Sequence, residues 1–154
     1  MKLKTVVFAF ALCLFSTAVC LAANPHMGTW KLNEAKSKIA AGAPKNHTVV
    51  NEAADSDVKV TVDGTDGAGN PTHNEWTGRF NRKFYAVTGD PTSDMRSYRV
   101  VNSRTMVLTA KKDNKVTLTG TITVTANGKT RTVTTSGIDA NGKKFKNVAV
   151  YDKE

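Results

Sequence analysis

From Val116 to Thr125 the chain reads Val-Thr-Leu-Thr-Gly-Thr-Ile-Thr-Val-Thr, an alternation of apolar and hydroxyl-bearing residues interrupted only by Gly120. An extended backbone sends successive side chains to opposite faces, so this segment predicts a strand with one face in a core and a threonine face in water. Asn127-Gly128 follows directly. That dipeptide predicts a type I′ hairpin, because both central positions of such a turn require positive φ. Thr130 to Gly137 then supplies the returning antiparallel strand. One hairpin cannot hide its own apolar face, so other strands must cover it.

The same punctuation recurs along the chain. Strands are expected near 27–34, 46–53, 57–63, 72–79, 83–88, 94–101, 104–111, 115–126, 129–137 and 143–152. Short connections between consecutive strands imply antiparallel neighbours. After residue 46 no segment has helical periodicity. The one helical candidate is Ala35 to Ala43, ended by Pro44, which would form a small cap over one end. With so few helices to cover them, the strands must close into a barrel or fold over as a sandwich. The reading is all-β: a single antiparallel up-and-down β-barrel of about 8–10 strands with at most one short helix. An internal echo relates Val60–Asn70 to Val133–Lys143 at an ungapped offset of 73, each being strand, Gly-x-Asp-x-x-Gly turn, strand. Two hairpins obeying one turn chemistry explain it without duplication.

The first 22 residues read as an export signal. Lys2 and Lys4 precede an apolar run, Val6 to Val19, broken only by Ser16 and Thr17, and Cys20-Leu-Ala-Ala23 ends in small residues. Cleavage after Ala22 or Ala23 would leave one barrel domain, 23–154, in the periplasm or secreted. Both cysteines, Cys13 and Cys20, would leave with the signal, so no disulfide and no thiol ligand is expected in the mature domain. Val19 argues against acylation at Cys20, where a small residue is expected. Without Lys2 and Lys4 the chain carries 20 basic and 13 acidic residues, a net +7. Such a charge suits peripheral contact with an anionic envelope surface. No basic stripe interleaved with aromatics points to nucleic acid.

Gly28-Thr29-Trp30-Lys31-Leu32 and the closing Val148-Ala-Val-Tyr-Asp-Lys153 resemble the first and last strands of the lipocalin and fatty-acid-binding-protein group. The middle, including Tyr85-Ala-Val-Thr-Gly-Asp-Pro91, is similar to small exported bacterial lipocalin-like proteins. The resemblance implies a barrel that holds a small apolar or amphipathic molecule, with Gly28 and Trp30 as structural residues. There are two departures. The segment Ala35 to Lys45 is too short for a helical lid, and Ala149 stands where the fatty-acid-binding proteins carry an inward arginine two residues before the tyrosine, here Tyr151.

Alternation assigns the inner wall. Trp76 and Phe80 share a face opposite His73, Glu75 and Arg79. Arg131 falls beside Val133, Arg104 beside Met106 and Leu108, and Arg96 beside Tyr98 and Val100. An inward cation is costly unless an anion or a hydrogen-bond network meets it. Arginines at strand ends would instead reach out to water along their stems. His26, His47 and His73 lack metal-ligand spacing, no catalytic constellation appears, and no cofactor is implied. A flat threonine array can bind ice, but two adjacent threonine-rich strands amount to an ordinary solvated face. The expected function is non-covalent binding of a small hydrophobic or amphipathic molecule, acidic or neutral, by Trp76, Phe80, Arg96, Tyr98, Met106, Leu108, Arg131 and Tyr151, with Arg131 or Arg96 orienting an acidic end. The alternative is a packed barrel acting through its surface as an interaction or inhibitor protein, with an enzyme third.

Overall fold

The computed structural model describes residues 24–139 and 142–154. The expected signal, 1–22, lies outside the described residues. Ten strands form: β1 (Gly28–Leu32), β2 (Lys45–Ala54), β3 (Asp57–Thr65), β4 (Pro71–Gly78), β5 (Tyr85–Thr88), β6 (Met95–Asn102), β7 (Thr105–Lys112), β8 (Lys115–Val124), β9 (Thr130–Ile138) and β10 (Lys144–Lys153). Each pairs antiparallel with the next, and β1 closes on β10, giving the up-and-down barrel that the alternation predicts. Odd-numbered strands run toward one end, the mouth. The β2–β3, β6–β7 and β8–β9 hairpins and residues 24–27 lie at the other end, the floor.

The expected cap helix over Ala35 to Ala43 does not form. Only Glu34–Lys36 makes a single 3-10 turn. Because β1 stops at Leu32, the mouthward stretch of β10 has backbone groups left to pair, and residues 33–38 supply them. The Asn33 amide donates to Val150 O at 2.8 Å, and Lys38 and Val148 exchange two backbone bonds at 2.7 and 2.9 Å. The Ser37 hydroxyl accepts from the Val150 amide at 2.9 Å. These groups close the barrel wall and cannot also serve a helix.

The turns also depart from expectation in one place. Gly128 takes φ +71, but Asn127 is not among the positive-φ residues, so this is not a type I′ turn. Thr125 Oγ1 accepts from the Thr130 amide and Asn127 Oδ1 from the Lys129 amide, which holds a wider loop open. The two-residue type I′ signature lies instead at Asp113-Asn114, with φ +49 and +63, between the paired Lys112 and Lys115. The internal echo is a shared turn: Asp66 and Asn70 pair as Asp139 and Lys143 do, and in each turn the aspartate oxygen accepts from the backbone of the second residue.

The hydroxyl face covers three strands rather than two: Thr105, Thr123 and Thr132 stand in one row, Val107, Thr121 and Thr134 in the next, and Thr109, Thr119 and Ser136 in a third. Barrel strands turn about 20–25° from one to the next, which keeps such rows from a common plane.

Candidate functional site

On β8, β9 and β10 burial falls from floor to mouth, whereas Asn74 on β4, Val87 on β5 and Ala110 on β7 are buried toward the mouth. On β8 the inward residues Ile122 and Val124 are buried while Leu118 and Gly120 are half-exposed. On β9 Arg131 is buried, and Val133, Thr135 and Gly137 are progressively nearer the mouth and half-exposed. On β10 Tyr151 is buried, whereas Ala149, Asn147 and Phe145 are not. These residues are cross-strand partners, Ile122 facing Val133 and Val133 facing Ala149. Solvent therefore reaches well down this side of the wall. A depression of about 260 Å3 lies at the rim, lined by Leu118, Gly137 and Phe145 and also by the outward-facing Thr119 and Ser136.

The floor is built from β1 and the residues before it. Trp30 is fully buried, and its indole nitrogen donates to His26 O at 3.1 Å. Asn51 Nδ2 donates to the same oxygen at 2.7 Å, so β2 pins the incoming chain across the barrel end. Gly28, at φ +103, lets the chain enter. A Cβ there would also come within 2.9 Å of Lys153 Cε, whose ammonium lies 5.0 Å over the Trp30 ring.

Arg131 rests on this floor. It is 4% exposed, with its guanidinium carbon 5.8 Å from the Trp30 ring and 6.0 Å from the Tyr151 ring. Its Nε and Nη1 are buried with no hydrogen-bond partner among the described residues. Burial lowers its affinity for its proton, and the Tyr98 and Tyr151 phenols only partly oppose this. Burial likewise pushes the Tyr151 phenol up to about 12, so its hydroxyl stays protonated near a cation. Two ring faces cushion the charge but cannot replace the water it has lost. His26 is also buried with both ring nitrogens unpartnered, and burial, then the charges of Arg131 and Lys153, push it down to about 4. The imidazole is therefore neutral, and Arg131 is the buried cation of the floor, with Lys153 exposed beside it.

Arg96 is inward too, but satisfied. Its Nη2 lies 2.6 Å from Asp90 Oδ2, both side chains being largely buried. Burial alone would raise the Asp90 carboxyl. Hydrogen bonds from Ser93, Arg96 and Thr92, together with the Arg96 charge, take it below its ordinary value instead. Arg104 lies in the exposed β6–β7 turn, not on the inner wall, because β7 begins only at Thr105.

The aromatics gather on the opposite side. Trp76 stacks on Phe80 at 6.1 Å between ring centroids and meets Tyr98 edge-on at 4.8 Å and Tyr85 at 5.7 Å. Trp76 Nε1 reaches past β5 to donate to Arg96 O at 3.2 Å. Trp76, Phe80 and Tyr98 are therefore mutual packing partners. Met106 is fully buried near the floor, and Leu108, one step mouthward on β7, is half-buried. Sequence reasoning placed these side chains on the correct face but missed His26 and Asn51. His26 precedes β1, where strand alternation carries no information, while Asn51 shares the buried face of β2 with Val49 but reads as an ordinary polar residue. His73 is exposed, with Nδ1 2.6 Å from Asp63, and its hydrogen bond to Asp63 raises its proton affinity. Among the described residues no group of three metal-ligating side chains comes together.

No protein-family model matches this chain, and no curated protein is significantly similar to it in sequence.

Proposed function

We propose that this protein is a lipocalin-like carrier that holds one small amphipathic anion, its apolar part against Leu108 and the half-exposed wall of β8–β10 and its acidic group on Arg131. The observation that carries the reading is the buried guanidinium with two unpartnered nitrogens at the bottom of a wall open toward the mouth. A carboxylate or phosphate is the group that satisfies such a donor pair most strongly. Tyr151 adds a protonated hydroxyl beside it, and Leu108, Val133 and Ala149 offer apolar contact above. Arg96 does not anchor the ligand in this reading, since Asp90 already neutralises it. Export, as the leader suggests, would place the carrier in the periplasm or outside the cell.

A second reading is supported by the aromatic packing of Trp76, Phe80, Tyr85 and Tyr98, which fills one side of the interior. In that reading the barrel is packed and acts through its surface. Calorimetric titration of the full chain with decanoate and with decanol separates the two. The carrier reading expects decanoate to bind with one-to-one stoichiometry and at least about tenfold more tightly than decanol, a preference removed in Arg131→Met. Absence of binding of both favours the packed barrel, and equal binding of both removes Arg131 as the anchor.

A further inference from the structure

The mouth rim sets exposed apolar side chains among lysines that make no ion pair among the described residues. Val116 and Ile138 are each 55% exposed and line the same depression with Phe145 and Lys144. They come together because Leu118 faces Gly137 across β8–β9, which sets Val116 and Ile138 at adjacent mouthward ends. Around them stand Lys112 and Lys115, a cross-strand pair, Lys144 opposite Ile138, and Lys143 and Lys146 on either side of it. None of these five lysines makes an ion pair among the described residues; Lys38, Lys83, Lys111, Lys129 and Lys153 make none either, but Lys111 sits over the Phe84 ring and the other four are not gathered around Val116 and Ile138. The acidic residues of this stretch are Asp94, Asp113 and Asp139; Asp94 Oδ2 accepts from the Asp113 amide and Asp139 Oδ1 from the Lys143 amide. Two large exposed apolar groups ringed by unpaired lysines match the boundary of an anionic bilayer, where acyl chains lie beneath phosphate.

We propose that this rim docks on an anionic phospholipid surface, Val116 and Ile138 entering the headgroup boundary and the five lysines meeting phosphates. The docking stands on the rim alone. Its use, loading the barrel through a mouth held against the lipid, rests on the carrier reading.

Vesicle co-sedimentation tests it on the full chain. Phosphatidylglycerol-rich vesicles should pellet the protein, pure phosphatidylcholine vesicles should not, and raising salt severalfold should weaken binding about tenfold, as expected for contact made through exposed charges. Lys115→Glu/Lys143→Glu/Lys144→Glu should abolish sedimentation, and Val116→Ser/Ile138→Ser should reduce it severalfold. Arg104→Glu/Lys129→Glu, at the floor end, should leave it unchanged, with circular-dichroism melting confirming that each variant folds. No sedimentation with the anionic vesicles overturns the proposal. So does equal loss in the floor-end variant, or binding to lipopolysaccharide alone. Arg131→Met separates the two readings: it should keep vesicle binding and lose decanoate. A chain that binds vesicles but no carboxylate retains docking without the carrier function.

Discussion

Arg131 puts a cost on the empty barrel that the ligand would remove. A buried charge without full pairing destabilises a fold, and an apolar replacement of similar volume commonly restores about 1–4 kcal/mol. Arg131→Met should therefore raise the midpoint of thermal unfolding while abolishing preference for an acidic ligand. Gain of stability with loss of binding marks a functional residue, whereas a drop in midpoint would make Arg131 a structural one. His26 gives a second test at this scale. Its folded pKa of about 4 lies below the ordinary 6.5, so the stability tied to the neutral ring is complete above pH 6.5 and declines as pH falls toward 4. Allowing for solvent screening, the loss is about 2 kcal/mol. Urea unfolding at pH 7.5 and 4.5 should show it in the wild type, and His26→Leu should flatten the difference. If the variant keeps the same pH slope, acidic destabilisation originates elsewhere.

Between elements, the turns and the pairing registers decide how firmly the wall holds. Asn114 sits at φ +63 in the two-residue β7–β8 turn, a conformation in which a β-branched side chain is strained by about 1–2 kcal/mol. Asn114→Val should lower stability by that amount in chemical denaturation, and Asn114→Gly should not. The weakest part of the wall is β5. It has four residues and pairs through two positions on each side, Glu75–Thr88 and Trp76–Val87 with β4, and Tyr85–Arg96 and Ala86–Met95 with β6. The indole bond from Trp76 to Arg96 O bridges this stretch from inside. Amide exchange should be fastest in β5 among the strands and slowest in β8 and β9, which are long and paired throughout. Trp76→Phe should accelerate β5 exchange selectively. The strands themselves were legible because threonine–apolar alternation has only one backbone solution. The fate of residues 35–43 was not, because it depends on β10 outreaching β1, a fact about register rather than composition. The Asn127-Gly128 turn misled for a similar reason, since Thr125 and Asn127 offered the backbone side-chain partners that a turn rule ignores.

Seen as a whole molecule, the barrel is sealed at the floor and exposes the inner faces of β8–β10 toward the mouth. Alternation put Arg131 on the inner face, but inwardness did not reveal whether it reached water, because the answer lies in Trp30 and His26 sealing the floor. The same closure leaves Leu108, Val133 and Ala149 half-exposed toward the mouth, where the rim lysines gather. A ligand bound only by the folded barrel should stabilise it by mass action, about 2.7 kcal/mol at a hundredfold excess over its dissociation constant. The most direct test of the central claim reads Arg131 itself. In a nitrogen–proton correlation spectrum of the full chain, the Arg131 Nε–H resonance, assigned by its absence in Arg131→Met, should shift downfield and sharpen as decanoate is added. It should stay unmoved when decanol is added. If decanoate binds and leaves that resonance in place, the buried guanidinium is not the anchor, and the barrel holds its ligand by apolar contact alone.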